Sequence, residues 1–473
     1  MTDKSLGTSP QPLAQRGSRS TLLSPHCIDY TLHPTPNGAE IRHVGNAHPT
    51  EYLNCIDYAL HPTPYTPPSR DGFNPSENCY ISRPTDKVKK IVKTLQIGLG
   101  WLPEQAGGLN RFFYDSIRYL PAAGVEMRGL VAGSADVEQS SGGQVQIFAH
   151  QESSLWERCW RLRQAVRRIL AEQKYALVVS HFALYAFPVL DQLSKQPLVT
   201  HFHGSWALED SAQRGKTPAV WLKWALEQIT YRQAASFIVL SQPSCNILHR
   251  NYQIPLERIH IVPGGVDTER FDTALTLAQA REKLGWPQDR PIILAVSRLM
   301  RRKGLENLIQ ALNQVRNAYP DVLLLIAGKG PLESALKTQI EELGLTDHAR
   351  LLGVVHDPQL SWAYRAAEFL VVPSVALEGF GLITVESLAA GTPVLGTPVG
   401  GIPEILQPFS EELVMAGSSV EHLTQGILEA LSGQRKLPSS HDCQTYVREH
   451  YAWPVVARQL KSVYQAVLDA RRC

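Results

Sequence analysis

From Val88 onward the chain alternates short apolar runs with amphipathic stretches, and near residue 270 the alternation starts again. Apolar runs of this length, closed by glycine, proline or polar residues, read as strands buried on both faces. The first round places strands at 90–100 (KIVKTLQIGLG), 125–132, 175–181, 197–203 and 236–240, with helices over 110–123, 155–173 and 218–234. After ERIHIVPGGVDTERF (257–271) the second round places strands at 291–299, 322–328, 349–355, 368–374 and 392–399, with helices between them. Strands that alternate with helices build parallel sheets covered on both sides. The expected fold class is α/β: two doubly wound, Rossmann-like domains facing across a cleft, with a boundary near 265–290. Ligands of open sheets bind beyond the carboxyl ends of the strands, so the strand-to-helix loops are where chemistry is sought.

Residues 1–88 are different. They hold 12 of the 32 prolines, and CIDYTLHPTP (27–36) returns as CIDYALHPTP (55–64). Stacked repeats need at least three units, so two proline-broken copies predict a disordered tail. Cys27, His33, Cys55 and His61 read as by-products of that duplication, because the spacings of a tetrahedral site are absent. The seven cysteines are odd in number and form no Cys-x-x-Cys pair, which predicts reduced thiols in a cytoplasmic protein. No apolar run reaches the roughly 18 residues of a membrane span, and the N-terminus lacks the apolar stretch of a secretory signal. Lys+Arg exceed Asp+Glu by only 46 to 44. That balance argues against a nucleic-acid partner, whose footprint is a strong basic excess.

The sharpest local signal is PSVALEGFGLITVESLAAGTPVLGTPVGGIPEIL (373–406). Glu378 sits on a loop after a strand, and Gly379 and Gly381 allow a close backbone approach. A helix expected from Leu382 turns its free N–H groups toward whatever lies above, a ready anion site. Glu386 follows one turn later, suited to accept hydrogen bonds from hydroxyls. Two readings fit: a nucleotide-diphosphate-sugar pocket, or a capped helix with two exposed glutamates. SRLMRRKG (297–304) places Arg298 and Lys303 after another strand, with Arg301 and Arg302 read as solvated; AGKGP (327–331) is a second glycine-rich turn on the same edge.

Taken together, Glu378-x7-Glu386, Arg298 with Lys303, AGKGP, the PGGVD linker and the GTPV…GG-PE stretch resemble the retaining glycosyltransferases of family 4, which have a GT-B fold. The resemblance covers roughly residues 92–471 and is strongest over 257–406. It implies an acceptor domain over 89–270, a nucleotide-sugar domain over 271–450, and a C-terminal helix over 451–473 returning to the first domain. It implies that Glu386 binds the donor ribose. Glu378 with Gly379, Phe380, Gly381 and Leu382 would hold the transferred hexose, Arg298 and Lys303 would neutralise the diphosphate, and the stretch VVHDPQL with Val355 would frame the base; the expected donor is uridine-linked. Gly328 and Gly330 of AGKGP join the donor-binding set. His203, ending the strand THFHGSW, matches the family histidine at the transferred sugar, whereas His201 packs within the strand. Gly107 and Gly108, in GWLPEQAGGLNRF, would close over the diphosphate. Gly264 stands where the family usually has Asn, a departure expected to touch the hinge more than the chemistry.

The chain has no Asp-x-Asp. No metal and no cofactor are expected, since Arg298, Lys303 and a helix N-terminus supply the same electrostatics. Without an evident carboxylate nucleophile, same-face attack by the acceptor is favoured, with the leaving diphosphate helping to take its proton. Three rivals remain: an epimerase of the same fold, a non-catalytic sugar-nucleotide binder, and a dinucleotide-binding dehydrogenase reading Gly98-x-Gly100. The last fits poorly, because Pro103 holds the third glycine position and the helix starts late.

On helix 155–173, Leu155, Leu162, Val166 and Ile169 form a sheet-facing stripe. Trp156, Trp160, Arg163 and Arg167 form another, and Trp221, Trp224 and Tyr231 recur on the later helix. Tryptophan with arginine suits a lipid headgroup interface. The expected partners are thus a nucleotide-sugar donor and a lipid, lipid-linked or polysaccharide-precursor acceptor, with peripheral contact at the inner face of a membrane.

Overall fold

The computed structural model describes residues 91–102, 104–193, 195–356 and 358–471. The duplicated segment, the tail and Pro103 lie outside the described residues. The first domain is a seven-stranded, all-parallel sheet of β1 (Val92–Gly100), β2 (Val125–Ala132), β3 (Val145–Ala149), β4 (Leu177–Ser180), β5 (Leu198–Phe202), β6 (Ser236–Val239) and β7 (Ile259–Ile261). Its strand order is β3-β2-β1-β4-β5-β6-β7. The second is an all-parallel sheet of β8 (Ile292–Val296), β9 (Leu323–Ala327), β10 (Ala349–Gly353), β11 (Phe369–Val372) and β12 (Val394–Gly396), ordered β10-β9-β8-β11-β12.

The strands are apolar because helices cover both faces. Every residue of β4, β5, β6, β9 and β11 is buried. Both sheets reverse their order beside the first strand, at β1/β4 and at β8/β11. These are the switch points where loops diverge and leave a crevice. The loops that follow β1, β4, β8 and β11 are the ones that carry Gly107–Gly108, His181, Arg298–Lys303 and Glu378–Gly381.

Two stretches join the domains. In the linker, a Cβ on Gly265 would lie 2.6 Å from the Trp453 ring, and Val266 N donates to Tyr451 O. The final helix, Trp453–Ala470, then runs back onto the first domain, burying Trp453, Val456, Ala457, Leu460 and Tyr464. Trp453 stacks on Tyr119 and meets Phe112 from helix Gly108–Tyr119, and Tyr464 Oη lies 2.8 Å from His201 Nε2.

Two parts of the helix reading are corrected. Leu162, Val166 and Ile169 of helix Leu155–Glu172 are buried, but Leu155 is 43% exposed because it sits in the first turn, ahead of the packed stripe. Of the three aromatic residues singled out on helix Pro218–Gln233, only Trp221 stands out in solvent, since Tyr231 is buried and Trp224 packs on the core beneath.

Candidate active site

The loop after β8 is shaped by contacts that glycine permits. A Cβ on Gly328 would fall 1.8 Å from Ser297 O, and one on Gly330 2.4 Å from Leu299 O. Ser297 N donates to Ala327 O and Leu299 N to Lys329 O. The AGKGP turn therefore lies against the backbone that presents Arg298, and that close approach is what its glycines serve. Arg302, expected in solvent, is buried instead: its Nη1 donates to Leu377 O at 2.8 Å, and its own carbonyl accepts from Val375 N. Arg302 thereby ties the β8 loop to the β11 loop, where Leu377 is held at φ 51.

On that second loop Glu378 is buried, which excludes the exposed-glutamate reading. Its Oε2 lies 2.5 Å from Lys303 Nζ and accepts from Ser374 Oγ at 2.7 Å. Burial pushes the carboxyl up, but Lys303, Ser374 and Arg302 outweigh it and hold it below the usual value. Gly381, at φ 88, turns the chain into helix Leu382–Ala389, whose first turn has no side-chain cap; Thr384 N–H returns to Gly381 O at 2.8 Å, and the N–H groups ahead of it form the anion-binding end of the helix. Glu386 is also buried and accepts from Tyr364 Oη at 2.9 Å. Tyr364 belongs to helix Gln359–Arg365, directly after the stretch that begins beyond β10 with exposed Val354 and half-buried Val355.

The first domain reaches these loops at three points. A Cβ on Gly108 would meet Leu382 Cδ1 at 3.5 Å, whereas Gly107 faces open space. A Cβ on Gly379 would meet His203 O at 3.5 Å, so the two loops lie side by side. Ser241 and Ser244 both donate to Gly379 O, while Glu404 accepts the Gln242 backbone N–H at 3.0 Å. The helix Gly108–Tyr119 begins well after β1 ends at Gly100, which removes the mechanical basis of a dinucleotide fingerprint.

Several residues that spacing alone did not single out belong here. Glu209, on helix Trp206–Arg214, spans the cleft to Arg298 (3.4 Å) and Arg302 (3.3 Å). Glu227 accepts from Trp206 N (2.7 Å), Ser205 Oγ and Tyr252 Oη, fixing the turn after His203; burial pushes it up to about 7. Gly264, expected at the hinge, backs onto the site itself: a Cβ there would meet Leu382 at 2.7 Å and the Phe380 ring at 2.8 Å. Its signal was the missing Asn side chain.

Beneath the cleft lie three histidines. His201 is buried and bonded to Tyr464; His181 Nδ1 lies 3.2 Å from His203 Nε2, and His181 Nε2 2.9 Å from Gln96 Oε1. Desolvation lowers all three, His203 to about 4. Their nitrogens fall within 4.8 Å of one another, the one such group among the described residues. A tetrahedral zinc with bonds of about 2.0 Å needs its nitrogens roughly 3.3 Å apart, with converging lone pairs. These rings are instead nearly parallel, at 19–22°, and Gln96 and Tyr464 already occupy two Nε2 atoms. The arrangement is a hydrogen-bonded stack.

Trp156 (82% exposed), Trp160 and Arg167 are exposed on helix Leu155–Glu172 of the first domain. Arg163 does not join them as a free charge, because Asp191 takes its guanidinium with two bonds, at 2.6 and 2.8 Å. No helix among the described residues is long and apolar enough to cross a membrane.

Two family models divide the chain as the two sheets do. One described as Glycosyltransferase Family 4 matches residues 106–270, and one described as Glycosyl transferases group 1 matches 278–450. A D-inositol 3-phosphate glycosyltransferase of Segniliparus rotundus is 26% identical over 366 residues, spanning 75% of this chain and 78% of the relative. A GDP-mannose-dependent monoacylated alpha-(1-6)-phosphatidylinositol monomannoside mannosyltransferase of Corynebacterium glutamicum is 31% identical over 214 residues, spanning 43% of this chain and 55% of the relative. Several matches of this kind span only 55–63% of the relative's length. Among solved structures, the sucrose-phosphate synthase of Thermosynechococcus elongatus superposes with a TM-score of 0.68 over 80% of this chain and 100% of its own, at 23% identity, a likeness of fold. With two parallel-sheet domains, loops converging at both switch points and both family models matched in order, the chain belongs to the family 4, group 1 glycosyltransferases of GT-B fold.

Proposed function

We propose that this protein is a retaining glycosyltransferase that moves a hexose from a nucleoside-diphosphate sugar, uridine-linked, to a lipid, lipid-linked saccharide or polysaccharide precursor. The observation that carries the proposal is the convergence of Arg298, the Lys303–Glu378 pair and an uncapped helix N-terminus on one crevice, with Glu386 one turn deeper. In this reading Glu386 receives the ribose hydroxyls, and the N–H groups at Gly381 and Leu382 with Arg298 and Lys303 receive the diphosphate. Glu378 and His203 face the hexose from the two domains. The bond from C1 to the β-phosphate oxygen breaks as the bond from C1 to the acceptor oxygen forms on the same face, and the acceptor's proton passes to the departing phosphate. Glu378 is engaged by Lys303 and Ser374, which suits a sugar-holding group better than a covalent nucleophile. These cations and N–H groups supply the charge stabilisation without a metal. The C. glutamicum relative is named as GDP-mannose-dependent, so guanine is the competing base. Thermal-shift binding of UDP, GDP, ADP and NAD tests the pocket. One nucleoside diphosphate is expected to stabilise the protein, and the shift is expected to shrink in Glu386→Ala. Stabilisation by NAD alone would overturn the reading.

Glu209 adds a second test. Its carboxylate already sits on Arg298 and Arg302, where an incoming diphosphate must displace it. Glu209→Gln is expected to tighten nucleoside-diphosphate binding roughly fivefold, the scale of about 1 kcal/mol for a part-exposed ion pair. Asp210→Asn makes the same change of net charge one residue on, but Asp210 faces Lys223 at 2.7 Å, so its affinity is expected to stay unchanged. Weaker binding by Glu209→Gln would mean that Glu209 is itself a ligand contact.

The acceptor side of the proposal rests on the outer surface of the first domain. Trp156, Trp160, Trp221 and Leu222 are all more than half exposed, and Arg167, on the helix of Trp156 and Trp160, is exposed too. Tryptophan at a lipid interface buries its ring among headgroups. The double change Trp156→Ser with Trp160→Ser is expected to lower cosedimentation with anionic phospholipid vesicles severalfold. Unchanged cosedimentation would remove this surface from the account.

A further inference from the structure

The histidine stack carries more than packing, because its hydrogen bonds have a fixed polarity. A backbone carbonyl can only accept. Thr94 Oγ1 therefore donates to Glu126 O, at 3.3 Å, and uses a lone pair to accept from Gln96 Nε2, also at 3.3 Å. That choice turns Gln96 Oε1, an acceptor, toward His181 Nε2 at 2.9 Å. His181 then holds its proton on Nε2 and offers Nδ1 as an acceptor. The atom 3.2 Å from that Nδ1 is His203 Nε2, which must donate. The chain of bonds thus starts at β2, crosses β1, passes through the end of β4 and finishes at the end of β5. It leaves His203 protonated on Nε2 and its Nδ1 as a bare lone pair.

We propose that His181, held by Gln96, is a positioning residue that fixes the tautomer of His203, so that His203 Nδ1 accepts a hydrogen bond from a hydroxyl of the transferred sugar. The proposal rests on the donor reading above and adds to it the residues that set the chemistry of the His203 ring. His181 itself does not touch the donor. Burial keeps His203 neutral near pH 7, so the lone pair persists there. Phe112 packs against the ring, and His201 lies 6.0 Å from it between centroids, with its Nε2 bonded to Tyr464 and its buried Nδ1 bonded to neither His181 nor His203.

The test reads the tautomer and the turnover separately. Protein labelled with nitrogen-15 histidine is examined by NMR without ligand, in wild type, His181→Asn and His181→Phe. Asparagine keeps an acceptor near the Nδ1 position, and phenylalanine keeps only the ring. The expected result is a His203 signature of Nε2–H in wild type and in His181→Asn, and a mixed or Nδ1–H signature in His181→Phe. Turnover with the nucleotide sugar is expected to fall roughly 10–100-fold in His181→Phe, the effect of one misdirected buried hydrogen bond. Nucleoside-diphosphate affinity is expected to stay unchanged, and His181→Asn to recover most of the turnover. Wild type that turns over but shows Nδ1–H at His203 would overturn this proposal alone. So would full turnover in His181→Phe. Wild type with Nε2–H but no release of nucleoside diphosphate from any sugar donor would instead overturn the donor reading, and with it the purpose assigned to the tautomer.

Discussion

Lys303→Ala is expected to lower turnover on the order of 10²–10³-fold, the scale seen when one charge-stabilising donor is removed from a water-poor site. It is also expected to lower stability by about 3–5 kcal/mol, the cost of leaving one member of a buried ion pair alone. The reason is local. Lys303 and Glu378 have side chains only 12% and 8% exposed, and among the described residues Ser374 is the one other side chain that bonds the carboxylate, with the charge of Arg302 acting on it less directly. Thermal unfolding reads the second effect and donor turnover the first. A paired change separates them. In Lys303→Met with Glu378→Gln both charges are gone, so most of the stability is expected to return while turnover stays low. Recovery of both would reduce the pair to a structural element.

Gly400→Ala is expected to be comparably damaging, although the residue carries no chemistry. Gly400 lies at φ 61, and a Cβ there would fall 1.8 Å from the carbonyl oxygen of Glu378 and 2.9 Å from its Cβ. The left-handed backbone alone costs roughly 1–2 kcal/mol for an L side chain. No rotamer relieves an overlap with backbone, so the Glu378 loop has to move. A displacement near 1 Å at a reacting centre is worth on the order of 10²-fold in rate. Gly285→Ala is the matched control: φ is 64, but nothing lies within 4 Å. It is expected to cost about 1 kcal/mol and leave turnover alone. If Gly400→Ala turns over like wild type, the Gly400–Gly401 turn does not position Glu378.

These two residues also show what the sequence revealed and what it did not. The long apolar runs were legible because a parallel strand buried on both faces has no polar side to blur it. The edge strands of the first sheet were not. β3, with two of five residues only half-buried, and β7, with one buried residue in three, lack that continuity. Helix Gln242–Tyr252 was missed although Ser241 caps it and Pro243 opens its first turn, a start signal that its polar sequence hid. In the site, Glu378, Glu386 and Lys303 stood out because they sit at loop and helix positions whose local chemistry is readable. Glu209 and Arg302 did not, because their meaning lies in partners 75 to 93 residues away. Glycine pairs announced close approach but not what approached. Gly264 was read as part of a hinge, yet it adjoins Phe380 and Leu382. His181 looked like an ordinary strand end until the Thr94–Gln96 bond gave its neighbours a direction.

The most direct test of the account is release of nucleoside diphosphate from UDP-hexose and GDP-hexose by the purified protein, with the anomeric configuration of the transferred hexose read by NMR. The expected result is release from one of the two donors, a product that keeps the donor's configuration, and loss of both signals in Lys303→Ala. Release that persists unchanged in Lys303→Ala, or a product of inverted configuration, would contradict it.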